Sequence, residues 1–165
     1  MNKLKIFVDM DGVLADFIQG VEGPEFLNGP LTHDAEYDTR KIELSNKGLF
    51  LKLPKMSDMN DLVEHIKSSG EYWEILTATG DVNRQRVAAD KHTWIRKNVD
   101  SDVLVTCTIK GKHKAVFAKP NHVLIDDRLE NIKAWNMAGG VGILHKNAQE
   151  TISKLTPLFY NKELI

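Results

Sequence analysis

The sequence predicts an α/β protein, a Rossmann-like, doubly wound sheet of five parallel strands in one domain. Three observations lead there. Five short apolar runs rich in Val, Ile and aromatic residues recur along the 165 residues, each of a length that suits a strand buried on both faces. Stretches with helical spacing separate most of them. Alternation of this kind builds a parallel sheet covered by helices.

The first run, Leu4-Lys5-Ile6-Phe7-Val8, passes directly into an acidic residue. Residues 18–56 then break the alternation. Pro24, Gly29-Pro30 and Pro54 punctuate a mostly polar stretch without a clear element, and insertions of this length are often lids or binding loops. Met59, Leu62, Val63 and Ile66 repeat at i, i+3, i+4 and i+7 and predict a helix that Gly70 stops. The second strand is expected at 72–76. Residues 83–98 read as a longer helix with Val87, Lys91, Trp94 and Ile95 along one face. Strands at 103–107 and 122–125 follow. A helix carrying Leu129, Ile132 and Trp135 is closed by Gly139-Gly140, and the last strand is expected at 141–144.

Composition narrows the class without naming an activity. The apolar fraction (42 %) and charged fraction (27 %) are those of a soluble globular domain. With 22 basic and 23 acidic residues the net charge is −1, which argues against stable nucleic-acid binding or attachment to a membrane surface. No apolar run approaches the ~18 residues of a membrane helix, and the N-terminus lacks a secretory pattern. Cys107 is the only cysteine, so neither an intrachain disulfide nor a Cys-based zinc site is possible. The six histidines show no metal-ligand spacing. A cytoplasmic domain is the expectation.

In sheets of this kind ligands bind beyond the carboxyl ends of the strands. There the sequence places Asp9-Met10-Asp11-Gly12-Val13 after the first strand, Thr77-Ala78-Thr79-Gly80 after the second and Asp126-Asp127-Arg128 after the fourth. Lys110, Lys112, Lys114 and Lys119 lie just before the fourth strand. Carboxylates, a hydroxyl and a lysine on one edge are what phosphoryl transfer through an aspartyl-phosphate requires. A carboxylate attacks phosphorus only when the two negative charges are offset, which a hard cation held by oxygen ligands achieves. A lysine and a hydroxyl bind the remaining phosphate oxygens. A second carboxylic acid two residues on can protonate the leaving oxygen and then activate water. Gly12 permits the tight turn between them.

Asp9-Met10-Asp11-Gly12-Val13 resembles the first motif of the haloacid dehalogenase superfamily of phosphatases, Thr77 its second and Asp126-Asp127 its fourth. The stretch from Asp9 to Phe17 is similar to the 5′(3′)-deoxyribonucleotidases, and the compact chain with its lid looks more like their bacterial and phage members. Gly48-Leu49-Phe50 with Leu53-Pro54, Lys91 with Trp94-Ile95, and Leu124-Ile125-Asp126-Asp127 extend the match over residues 4–145. The resemblance implies a single domain over 1–165, with residues 18–56 forming a small helical cap after the first strand. The interval of 65 residues between Asp11 and Thr77 leaves room for that cap, whereas the 36 between Thr77 and Lys114 exclude a large second one. It also implies Asp9 as nucleophile, Asp11 as general acid/base, and Mg²⁺ held by Asp9, the Asp11 carbonyl and Asp126. Thr77, Ala78 and a lysine would bind phosphate. Family spacing favours Lys114, with Lys112 and Lys119 as alternatives. Phe17, where the cap begins, would line the substrate pocket.

Each motif has a plainer reading beside this one. Asp127 with Glu130 could cap the next helix as a capping box instead of supporting the acidic pair. Asp16 could anchor the turn. Arg128 and Asn131 read as helix surface, with orientation of the acidic pair the alternative. Trp73, Trp94 and Trp135 read as core. The cap lacks the Phe-Trp pair of the animal nucleotidases; Phe26 and Tyr37 are its nearest aromatics.

The functional expectation is a Mg²⁺-dependent phosphomonoesterase acting on (deoxy)nucleoside monophosphates. A 3′-phosphatase acting on nucleic-acid ends and a general small-molecule phosphatase are the alternatives. A receiver-type binding module fits less well, because its acceptor aspartate ends the third strand, where this sequence has Thr106-Cys107.

Overall fold

The computed structural model describes residues 3–22 and 35–160. Five strands form one all-parallel sheet: β1 (Lys5–Val8), β2 (Tyr72–Ala78), β3 (Val105–Thr108), β4 (His122–Asp126) and β5 (Val141–Leu144), in the order β3-β2-β1-β4-β5. All five lie where the apolar runs place them, to within two residues. β1 is central, with Val8 paired to Ile75 on one side and Ile125 on the other. The carboxyl ends of β1, β2 and β4 are therefore adjacent, which brings the three acidic and hydroxyl segments to one edge.

The pleat divides the core in two. Ile6, Val8, Ile75, Ile125 and Ile143 face one layer, packed by α4 (Met59–Ser68), α5 (Arg84–Asn98) and α7 (Ala148–Tyr160). Phe7, Leu76 and Leu124 face the other, where α6 (Leu129–Met137) supplies Ile132 and Trp135. A side chain of this size contributes ~1.5–3 kcal/mol when fully buried. Trp94 and Trp135 are core residues as expected, and Trp73 is half-buried against the core. Trp94 Nε1 donates to the Leu53 carbonyl at 2.8 Å and Trp135 Nε1 to the His122 carbonyl at 3.2 Å.

The stretch read as lacking a clear element contains helices: α1 (Phe17–Glu22), α2 (Ala35–Asn46) and α3 (Leu49–Lys52). Periodicity missed α2 because its few apolar residues, Ala35, Tyr37, Ile42 and Leu44, are scattered through a polar sequence and make no strong stripe. Asp16 starts α1, its Oδ1 accepting the Gln19 amide at 2.9 Å. Residues 23–34 of the expected cap, Phe26 among them, lie outside the described residues. α7 was also unforeseen. Asn147 accepts the Glu150 amide at 2.8 Å and Asn147 Nδ2 reaches Glu150 Oε1. Asn147 thus caps α7 through its side chain, a cap residue legible in the sequence, but Pro157 inside the helix masks the pattern. No described helix is long and apolar enough to cross a membrane.

Candidate active site

The turn after β1 is built by its backbone. The Met10 carbonyl accepts the amides of Leu14 and Ala15, and Gly12 N donates to the Ala15 carbonyl at 2.8 Å. Gly12 adopts φ 76°, the left-handed conformation that other residues enter only at a cost. Any side chain there would also overlap the Asp127 carboxylate. The glycine thus closes the turn and lets Asp127 lie against it.

Two buried lysines divide the acidic residues between them. Lys114 comes from the 3₁₀ helix Gly111–Phe117 and is 1 % exposed. Its Nζ lies 2.9 Å from Asp9 Oδ1 and donates to Asp126 Oδ2 at 2.6 Å. Burial by itself lowers this ammonium, but the charges of Asp9 and Asp126 outweigh burial and raise it, so Lys114 stays protonated. Lys112 and Lys119 are exposed; of the three, Lys114 is the one that reaches the acidic residues. Lys91, from α5, has no solvent contact. Its Nζ donates to Asp11 Oδ2 at 2.6 Å, Thr77 Oγ1 at 3.0 Å and the Ala78 carbonyl at 2.8 Å. Sequence reasoning placed Lys91 on a helix face and gave it no role. The signal was its position on the buried stripe with Val87, Trp94 and Ile95, where a lysine requires a counter-charge.

Asp9 is buried and accepts the Met10 amide at Oδ1 as well; these contacts leave Oδ2 unengaged. Asp126 is fully buried and accepts Arg128 N at Oδ1, 2.9 Å, and Asn131 Nδ2 at both oxygens. Asn131 is therefore not surface: α6 begins so close to β4 that its first turn points at the carboxylate. Asp127 does not cap α6. The N-cap is Arg128, without a side-chain cap, and Glu130 pairs with Arg128 at 2.7 Å. Asp127 turns instead towards Gly12.

Asp9, Asp126 and Asp127 each offer an oxygen within 4.8 Å of the others. Burial, then the Asp9 charge, raises Asp126 above the ordinary carboxylate range against the pull of Lys114. Burial first, and then Asp9 and Asp126, push Asp127 up to about 7 although the residue keeps solvent contact. Crowded carboxylates of this kind are what a cation relieves. The donor set consists only of oxygen and fits a hard divalent ion such as Mg²⁺.

Phe17 packs on Phe50 with ring centroids 6.0 Å apart, and Lys41 Nζ lies 5.5 Å from its ring centre. Phe50 in turn lies under Lys91 Nζ at 4.7 Å. Phe17 thus joins the base of the helices after β1 to the lysine that holds Asp11. A cleft of about 260 Å³ opens between α2 (Lys41, Ile42, Ser45) and the loop after β2 (Gly80, Asp81, Val82).

No protein-family model and no curated protein matches the sequence. Solved structures share the fold. A haloacid dehalogenase-like hydrolase from Streptococcus pneumoniae superposes with a TM-score of 0.56 at 14% identity, covering 92% of this chain and 90% of its own. A second hydrolase from Streptococcus pneumoniae TIGR4 gives 0.54 at 14%, covering 94% and 100%. The D,D-heptose 1,7-bisphosphate phosphatase of Burkholderia thailandensis gives 0.53 at 9%, covering 93% and 99%. The fold is that of the haloacid dehalogenase-like hydrolases.

Proposed function

We propose that this protein is a phosphomonoesterase of the haloacid dehalogenase type that works through an aspartyl-phosphate and hydrolyses (deoxy)nucleoside monophosphates. The observation that supports it most is the pairing of each aspartate of Asp9-Met10-Asp11 with its own buried lysine, with Thr77 in the same network. Each lysine fixes the position of one carboxylate, so that the two aspartates two residues apart are held by different elements, α5 and the 3₁₀ helix.

Asp9 attacks phosphorus and the bond to the leaving oxygen breaks as Asp11 delivers a proton to that oxygen. A water molecule then gives a proton back to Asp11 and attacks the aspartyl-phosphate, releasing phosphate and restoring Asp9. Asp11 Oδ1 is buried and has no hydrogen-bond partner among the described residues, which suits an atom that receives and returns a proton. Lys114, Thr77 and the Ala78 segment bind phosphate oxygens as charge develops, while Lys91, its three protons taken by Asp11, Thr77 and Ala78, holds Asp11 in place. Mg²⁺ would be held by Asp9, Asp126 and the Asp11 carbonyl, with Asp127 beside it, and when bound it offsets the repulsion between Asp9 and the phosphate.

The cap is residues 18–56. The cleft beside α2 is sized for a compact leaving group such as a nucleoside, with Ile42 and Val82 as apolar walls and Lys41, Ser45 and Asp81 as polar contacts. The experiment is phosphate release from a panel of nucleotides, sugar phosphates and 3′-phosphorylated oligonucleotides, with and without EDTA. Nucleotide turnover that EDTA stops and Mg²⁺ restores, and that Asp9→Asn abolishes in a folded protein, supports the reading. Turnover surviving in Asp9→Asn sinks the mechanism. Preference for oligonucleotide ends or sugar phosphates replaces the substrate class alone.

A further inference from the structure

Asn131 occupies the first turn of α6 and is 4 % exposed. Its Nδ2 lies 3.0 Å from Asp126 Oδ1 and 3.1 Å from Oδ2. With Arg128 N on Oδ1 and Lys114 Nζ on Oδ2, every other donor to this carboxylate reaches only one oxygen. The same amide lies against Gly111, the first residue of the 3₁₀ helix that carries Lys114. A methyl group at position 111 would overlap the oxygen, nitrogen and carbon of the Asn131 amide. Gly111 does not have the positive φ that makes glycine necessary elsewhere, so what position 111 requires is close approach. One side chain thus touches both the carboxylate and the segment that delivers its lysine.

We propose that Asn131, seated on Gly111, is a positioning residue for the divalent cation. It fixes the plane of the Asp126 carboxylate and the register between Asp126 and Lys114. The inference rests on the reading of Asp126 as a metal-holding residue. The last torsion of an aspartate is broad and two-fold. A lysine on one oxygen and an amide on the other restrain it only in part. A donor shared by both oxygens restrains the plane itself. Without Asn131, only Arg128 N on Oδ1 and Lys114 Nζ on Oδ2 hold the carboxylate, and its plane can tilt out of the orientation it shares with Asp9 and Asp127. Partners that orient a metal-holding group in this way typically change metal affinity by about 10–100-fold.

The test is calorimetric titration of the metal-free, full-length protein with Mg²⁺, with thermal unfolding in EDTA as the check of folding. Asn131→Leu is expected to weaken Mg²⁺ binding by about 10-fold or more. Gly111→Ala, which keeps the amide but displaces it, should weaken binding in the same direction. The comparison variant is Asn136→Ala on the same helix. Asn136 Oδ1 accepts the Gly142 amide at 2.6 Å and touches no acidic residue of the site. It should melt earlier yet bind Mg²⁺ as the parent does. Should Asn131→Leu fail to fold, Asn131→Ser, too short to reach Asp126, decides with Gly111→Ala.

Unchanged Mg²⁺ binding in the Asn131 variants, beside a wild type that binds, overturns this inference and leaves the metal reading intact. So does an equal loss in Asn136→Ala. A wild type that takes up no Mg²⁺ overturns the metal reading of Asp126 and this inference with it.

Discussion

Lys91 and Asp11, 80 positions apart in the chain, form an ion pair of 2.6 Å in which the lysine has no contact with solvent. The same ammonium donates to Thr77 Oγ1 and the Ala78 carbonyl. The Asp11 carboxylate is thereby held over the end of β2 and kept from swinging into solvent.

Replacing Lys91 by methionine preserves length and removes this hold. Turnover of a simple aryl phosphate at saturating Mg²⁺ is expected to fall by about 100-fold or more, the scale of a misplaced acid/base group. Circular dichroism should show a folded protein. Wild-type turnover would mark Lys91 as a packing residue.

Gly12→Ala combines two penalties. Its φ of 76° costs a residue with a Cβ ~1–2 kcal/mol, and the added methyl overlaps Asp127. Scanning calorimetry should show a Tm lower by about 2–8 °C, with turnover reduced because Asp127 must move. An unchanged Tm would mean the turn can be rebuilt.

Away from the site, Glu74 is buried on the sheet and held by Lys5 Nζ at 2.9 Å, Tyr72 Oη at 3.1 Å and Thr106 Oγ1 at 3.3 Å. Lys5→Met leaves the carboxylate with neutral donors only. Lys5 is partly exposed, so water can reach the gap, and the cost expected by urea unfolding is about 2–3 kcal/mol, below or at the low end for broken buried pairs. Glu74→Gln should cost less, and catalysis should follow neither change.

Stability should also respond to pH through His145. Burial holds this imidazole below its ordinary value of 6.5, against the charge of Asp58. The unfolded chain therefore binds its proton first as pH falls, and the contribution, complete above about 7, is lost below about 6.5. His122, lowered first by burial, acts in the same sense. Asp127, held up to about 7, acts in the opposite sense, since the folded state takes up that proton more readily. The measurement is therefore a difference: His145→Gln should lose less stability than wild type between pH 7.5 and 5.5. Parallel urea curves would refute the assignment.

Strands were legible because the central ones are buried on both faces and the edge ones at least half so, and that burial decides their composition. The helices α4, α5 and α6 were legible because one face of each meets the sheet. α2 was not, since its polar sequence shows no strong apolar stripe. The site divides in the same way. Asp9, Asp11, Thr77 and Asp126 are fixed by strand ends, so sequence order suffices to bring them together. Lys91 and Asn131 reach the site from helices, where spacing shows which side is buried but not which carboxylate waits there. Asp127 shows a third case: the capping pattern was present, yet the space above Gly12 attracted the side chain instead.

The central place of β1 has a consequence for the order of synthesis. The sheet brings Asp9 beside Lys114 and Asp126, yet these follow it by 105 and 117 residues. A nascent chain therefore exposes its acidic turn to the surrounding ions long before either neutralising lysine can dock. A fragment ending before β4 holds Asp9 and both lysines but lacks Asp126 and Asp127, so the acidic cluster at the end of the sheet is complete only once the fourth strand has been made.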